Sequence, residues 1–375
     1  MIMIDLTEKQ FFALLSSALW NKKCPLELFV AGGDWHTIIR MAGAQTLTAV
    51  LFDGYNRLMK DYKKELTPIP LEQMLEWYAM VATVEAQNEL LNENLLRLET
   101  FCHEAGIKTL LLKGQGCAAL YPHPNHRHCG DIDLFVGREQ YYAMKKLLLT
   151  KEFEIEKETR KDLHFTWHQT SVECHKMALH YYNPFINKRL QRINRTEEWH
   201  NTCSFVVNGV KVGLFNPTYN AFFIFMHIHH HFVQTGVGLR QVCDWVLHMK
   251  ANEDLIDWNR LYKYVQEVRV LKAWNAFNGF AKAYLGLQLR NEPIWMKKYS
   301  LFDVEFLKRD IMQVGNFGII SESMLHRSVS NGFCGNFYSY FLIFKRLCRI
   351  YKYGPEEILA YPVWKMLAKI RVVKY

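Results

Sequence analysis

The 375-residue chain lacks an apolar run long enough to cross a bilayer, which takes about 20 consecutive apolar residues. Its longest candidate, Ala221 to Val233, is broken by four histidines. The opening MIMIDLTEKQ has no cationic segment ahead of an apolar core, so no signal peptide is read there. Cysteine occurs nine times, an odd number, and never as C-x-x-C. That argues against a disulfide framework or a zinc ribbon and for reduced thiols in a cytoplasm, the expected location. Neither an internal repeat nor a low-complexity linker interrupts the chain. What is present is ordinary for a globular protein of two or three domains: half the residues are hydrophobic and 22% are charged. The net charge of +9 is uneven, with eight Lys or Arg against two Glu between Asn336 and Tyr375. Such a stretch could meet an anionic surface, nucleic acid or an acidic peptide, but a solvated helix face is the preferred reading.

The first 69 residues read as a helical segment. Thr7 and Gln10 resemble a capping box ahead of Phe11 and Phe12, and Gly32-Gly33-Asp34 opens a second helix. Thr67-Pro68-Ile69-Pro70 breaks the pattern. A long helix is then expected from Leu71 to about Cys102, with Leu71, Leu75, Tyr78, Val81, Leu91, Leu95 and Leu98 inward and Gly106 as its cap. Residues 70–215 are read as a mixed α/β core and residues 216–375 as an all-helical remainder. Helices are expected around Asp257–Gln266, Leu271–Leu285, Val304–Met312 and Phe337–Lys352.

The stretch LLLKGQGCAALYPHPNHRHCGDIDLFV, Leu110 to Val136, is the centre of the argument. Apolar runs bounded by turn residues predict a strand ending before Lys113-Gly114 and another carrying Asp131-Ile132-Asp133. Side chains alternate along a strand, so both aspartates share a face about 7 Å apart, a spacing at which they can share divalent cations. As solvated carboxylates they are expected to contribute little to packing. Lys113, the turn at Gly114 and Arg127 offer an ammonium, backbone N–H groups and a planar fork to a phosphate. Downstream, strands are expected at Phe153–Glu156, Leu163–Trp167 and Ser171–His175, the last sending Glu173 and His175 to one face. Asn208-Gly209 predicts a tight hairpin.

The helix after Asn216-Pro217 carries His227, His229, His230 and His231. His227, His230 and His231 share one side at helical spacing. They admit three readings: phosphate or acceptor contacts, buried structural histidines, or a zinc site, which would lack the HExxH glutamate. Arg240 and Asp244, four apart, read as a structural bridge.

K-G, a small helix, Y-P, an Arg and G-D-I-D-L-x-V together resemble the bacterial "uncharacterised nucleotidyltransferase" family, a branch of the DNA polymerase β-like superfamily. V-E-C-H-K supplies Glu173 and His175 to a second matching element. The run from His227 to Trp245 is similar to the family's His-rich helix and G-x-x-L-R-x-x-x-D. The likeness covers roughly Leu71 to Gly286. It departs where Lys113-Gly114 replaces the superfamily's usual Gly-Ser, removing a serine contact to phosphate.

The resemblance implies an α+β fold, a small mixed sheet between N-terminal and C-terminal helical segments. It implies a transferase that moves an NMP from an NTP to a hydroxyl acceptor with release of pyrophosphate. Asp131, Asp133 and Glu173 would be catalytic and hold Mg²⁺ or Mn²⁺, and Glu173 would also take the acceptor's proton. Lys113, Gly114, Arg127 and Arg240 would bind the nucleotide, and His175, His227, His230 and His231 would meet phosphate or acceptor. The acceptor could be a small molecule, a peptide or a protein; nucleic acid is not an expected partner, nor is stable membrane insertion. Two alternatives stay open: a non-catalytic nucleotide- or partner-binding protein of the same fold, and a metal phosphohydrolase using the histidines.

Overall fold

The computed structural model describes residues 5–314 and 345–369. Within them the fold is α+β, a five-stranded mixed sheet and a two-stranded hairpin set among helices. Helices α1 (Leu6–Trp20), α2 (Trp35–Ala44) and α3 (Thr48–Tyr62) come first. The expected capping box is displaced: Asp5 caps α1, and Gln10 is buried instead, donating to the Leu28 and Gly32 carbonyls.

Helix α4 (Leu71–Glu104) runs into the sheet, and Gly106 closes it with a positive φ. Its buried stripe is Trp77, Val81, Val84, Asn88, Leu91, Leu95, Leu98 and Cys102, one face at three- and four-residue steps. Leu71, Leu75 and Tyr78, expected inside, are 73%, 59% and 59% exposed. The early turns offer apolar residues in two phases, and Trp77 seated on α3 decides between them, its indole donating to the Thr48 carbonyl.

Strands β1 (Leu110–Leu111), β2 (Ile132–Phe135), β3 (Ile155–Glu158), β4 (Asp162–Trp167) and β5 (Thr170–His175) lie in the order β1-β2-β5-β4-β3. Only β2 and β5 are parallel, joined by a crossover through α6 (Gly137–Thr150) and the β3–β4 hairpin. One sheet face is apolar: Ile132, Leu134, Leu163, Phe165, Val172 and Cys174 pack with Leu91, Leu95 and Leu98 of α4 and Met144 and Leu148 of α6. The other face is left to polar side chains. Between β5 and the hairpin lies α7 (Pro184–Glu197). The hairpin, β6 (Cys203–Val207) and β7 (Val210–Leu214), turns at Asn208-Gly209 with positive φ at both, as its sequence predicts.

The chain then becomes helical: α8 (Pro217–Gln234), α9 (Leu239–Ala251), α10 (Trp258–Glu267), α11 (Leu271–Tyr284) and α12 (Leu301–Val314), with a C-terminal helix Pro355–Lys369. These share one hydrophobic core with α1–α3, stitched by Trp20 donating to the Leu285 carbonyl and Gln45 to that of Ile311. Part of the basic stretch, residues 336–344 and 370–375, lies outside the described residues. Two of its described cations meet buried acids. Arg346 pairs with buried Asp310 at 3.1 Å and Lys352 with buried Asp303 at 2.5 Å, so they neutralise the helical core.

Glu198, just after α7, is buried and accepts the Ala178 N–H at 3.2 Å. Burial pushes its carboxyl up from 4.5 to about 7. A raised folded pKa favours folding below the unfolded value and loses that contribution as pH rises through about 7. Glu198→Gln should therefore remove a stability slope between pH 4.5 and 7 and stabilise the protein at pH 8, on the order of 2 kcal/mol. Melting temperatures of both proteins across that range test this, and parallel curves would sink it.

Candidate active site

The register of β2 and β5 sets Asp133 directly opposite Glu173 on the neighbouring strand. Pleating sends both acids to the polar face while their apolar neighbours enter the core. Helices α8 and α9 cover that face and enclose a cavity of about 500 Å³. Lys113, Asp131, Asp133, Glu173, His175 and Arg240 line it, with His227 and His231 on the α8 side.

Asp133 is not a solvated strand end. It is 2% exposed, with Lys113 Nζ 3.0 Å from Oδ2 and His175 Nε2 3.1 Å from Oδ1. Burial works against its ionisation, but Lys113 and His175 outweigh burial and hold the carboxyl well below the usual range. Burial would likewise depress the Lys113 ammonium, yet Asp133, Asp131 and Glu173 raise it. Asp131 is half-buried and is pushed up to about 6, first by the charge of Asp133 and then by burial. Burial would raise Glu173, but the hydrogen bond from His175 lowers it.

Gly114 takes φ +56, which favours glycine, and turns the chain from Lys113 into the single-turn helix α5, here the stretch Gln115–Ala118. The amides of Gly116, Cys117 and Ala118 are spent on the Lys113 and Gly114 carbonyls. Attraction for an anion at this turn therefore comes from the Lys113 ammonium rather than from those amides.

Arg127 lines the cavity, and its charge is paired. Its fork grips Asp244 of α9, Nε donating to Oδ1 at 3.1 Å and Nη2 to Oδ2 at 2.6 Å, and Tyr121 donates to the same Oδ1 at 2.9 Å. Arg127 and Asp244 are 5% and 4% exposed. Asp244 thus bridges to Arg127, not to Arg240 one turn before it. Arg240 donates to the His128 carbonyl and has no ion pair among the described residues; its Nε is buried without a hydrogen-bond partner.

The histidines of α8 divide. His227 and His231 face the cavity with ring centres 4.4 Å apart. Burial, and then Lys113, holds both low, His231 at about 3, so both are neutral. His230 leaves the cavity and stacks with Tyr182 at 5.8 Å. His229 is pinned between the Tyr181 hydroxyl at 2.5 Å and the Tyr353 carbonyl at 2.9 Å. Among the described residues none of these four belongs to a group convergent enough to hold one ion. His175 sits among the acids, 3.1 Å from Asp133 and 3.4 Å from Glu173.

The groups that do converge are Asp133 with Glu173 and His175, and Asp162 with His164 and Glu173, ligand atoms within 4.8 Å of one another in each. Asp162 and His164 escaped the sequence reading although Asp-Leu-His has the same two-residue period as Asp-Ile-Asp. That strand was read from Leu163 onward, one residue too late. Carboxylates crowded until one is pushed up to about 6 fit a divalent cation, whose charge relieves their repulsion.

No curated protein and no solved structure matches the chain. Residues 31–286 match the family model described as uncharacterised nucleotidyltransferase, about two-thirds of the chain. A match of that extent, starting forty residues ahead of the likeness read from the motifs, makes this chain a member of the uncharacterised nucleotidyltransferase family.

Proposed function

We propose that the protein moves an NMP from an NTP to a hydroxyl-bearing acceptor and releases pyrophosphate. The observation that carries this reading is the cavity's polarity: Asp131, Asp133 and Glu173 on one sheet face, Lys113 and Arg240 on the same walls. Asp131, Asp133 and Glu173 would hold Mg²⁺ or Mn²⁺, which, when bound, stabilises the attacking and leaving oxygens of an in-line displacement. Lys113 and Arg240 neutralise the triphosphate and the departing pyrophosphate. Glu173, a quarter exposed at its side chain, is reachable by an acceptor hydroxyl and takes its proton. His227 and His231, neutral donors and acceptors, orient what enters from the α8 side.

A non-catalytic nucleotide binder is the second reading, favoured by the Lys113 ammonium standing directly on Asp133. Incubation with α-labelled NTPs, Mg²⁺ or Mn²⁺ and a cell extract separates the two. A labelled acceptor with pyrophosphate supports transfer; NTP binding without any labelled product under either ion favours the binder.

Arg240 is the cleaner test of the phosphate side, because among the described residues it carries no ion pair whose loss would disturb the fold. Arg240→Ala should weaken NTP binding about 10- to 100-fold, roughly 1.4–2.7 kcal/mol, with little change in melting temperature. Arg240→Lys should recover little of it, since a point charge does not replace a planar fork. Unchanged NTP affinity in the alanine variant would reduce Arg240 to an anchor for the His128 carbonyl.

A further inference from the structure

Asp133, Glu173 and Asp162 are joined by two imidazoles that an oxygen-only cation centre does not need. Asp133, Glu173 and His164 form one row across β2, β5 and β4, and His175 faces Asp162 in the antiparallel register one step along. Both rings present one nitrogen to Glu173: His164 Nδ1 lies 3.5 Å from Oε1, and His175 Nε2 lies 3.4 Å from Oε2 and 3.1 Å from Asp133 Oδ1. Each turns its other nitrogen toward Asp162: His164 Nε2 is hydrogen-bonded to Oδ1 at 3.2 Å, whereas His175 Nδ1, 3.7 Å from Oδ2, has no hydrogen-bond partner among the described residues. Asp162 is fully buried and is fixed by a hydrogen bond from Thr159 and an ion pair with Lys161 at 3.1 Å.

This is the arrangement found around metal-bound histidine. A ligating imidazole commonly gives its second N–H to a carboxylate, which sets its tautomer and ring plane. The distances agree with that reading. Two atoms each about 2.1 Å from one ion lie about 3.0 Å apart at an octahedral angle and about 3.4 Å at a tetrahedral one. The His175 contacts to Asp133 and Glu173 fall at those values. Imidazole suits zinc, iron and nickel, and manganese accepts it beside carboxylates, whereas Mg²⁺ keeps to oxygen and water.

We infer that the centre is a mixed nitrogen–oxygen site, with His175 as a ligand beside Asp133 and Glu173 and with His164 and Asp162 in a second group that shares Glu173, and that it takes a first-row transition ion in preference to Mg²⁺. The inference rests on the reading that this cavity works with a divalent ion, and it names the ion's class. Glu173, reached from both sides, is the ligand common to the two imidazoles. Asp162 is a positioning residue, because it acts through the His164 ring to which it is hydrogen-bonded.

The test uses the full-length protein without nucleotide. Mn²⁺ and Mg²⁺ affinities are measured by calorimetry, and pulsed electron paramagnetic resonance of the Mn²⁺ form reads nitrogen coupling to the ion. Expected are ¹⁴N couplings from imidazole and Mn²⁺ binding about 100-fold tighter than Mg²⁺. His175→Ala should weaken Mn²⁺ about tenfold and remove the imidazole coupling, whereas His164→Ala should leave that coupling in place. Asp162→Asn should keep nitrogen coupling while lowering affinity, as an orienting role requires. The wild-type spectrum decides even where a variant fails to fold. Mn²⁺ bound with no nitrogen coupling overturns the inference, the rings then being imidazolium clamps on the acids, and leaves nucleotidyl transfer standing if a labelled acceptor still forms. Absence of binding by either ion overturns the inference, and with no labelled acceptor the transfer reading falls separately.

Discussion

Asp133→Asn should lower nucleotidyl transfer at least about 10³-fold, a loss of about 4 kcal/mol or more in transition-state stabilisation. Asp133 is the carboxylate on which the site converges, with Lys113 on one oxygen, His175 on the other and Glu173 beside it on β5. The neutral amide keeps the shape and loses the charge that balances the ammonium and, in the proposed reading, would hold a cation. Because Asp133 is 2% exposed, the substitution also strands Lys113 and should cost melting temperature. Asp131→Asn is the companion that separates the two effects. Asp131 is half-buried and already pushed up to about 6, so its amide should cost little stability while still impairing transfer. Near-normal turnover in both variants, measured with labelled NTP and acceptor, would move the metal centre elsewhere.

The parts of this site legible in the sequence are those set by a two-residue period. Asp131 and Asp133 fall on one face and Ile132 on the other, and Glu173 and His175 oppose Val172 and Cys174, because a pleated strand permits nothing else. Asn208-Gly209 announced its hairpin for a similarly local reason. What local rules cannot give is which strand neighbours which. The pairing of Asp133 with Glu173 depends on a parallel crossover through α6, β3 and β4, and nothing near either residue encodes it. Helix phase failed where two apolar stripes competed, and packing of Trp77 on α3 chose the one without Leu71, Leu75 and Tyr78. The Arg127–Asp244 pair was not legible because its members lie 117 residues apart, while Asp244 had a nearer arginine at helical spacing.

That long-range pair yields the second large effect. Asp244→Ala should destabilise the protein by about 3–5 kcal/mol, the usual cost of leaving one member of a buried ion pair without its counterion. Arg127 would be left buried with both its donors to Asp244 unpaired, and the Tyr121 hydroxyl would lose its acceptor. At about 2–4 °C per kcal/mol for a domain of 150–250 residues, the melting temperature should fall on the order of 10 °C. The loss should reach function as well, since the pair ties the loop entering Gly130-Asp131 to α9, which carries Arg240 into the cavity. Arg127→Met with Asp244→Leu distinguishes a structural strut from a charge used in chemistry. An apolar pair of similar volume can restore much of the stability of a buried ion pair. The double variant should therefore recover most of the melting temperature. If it also recovers transfer, both charges serve only to position Asp131 and Arg240; if transfer stays lost in a folded double variant, the Arg127 charge acts on the nucleotide itself, as the sequence alone had suggested. A single Asp244→Ala variant melting within a degree or two of the parent would sink the claim that this pair supports the site at all.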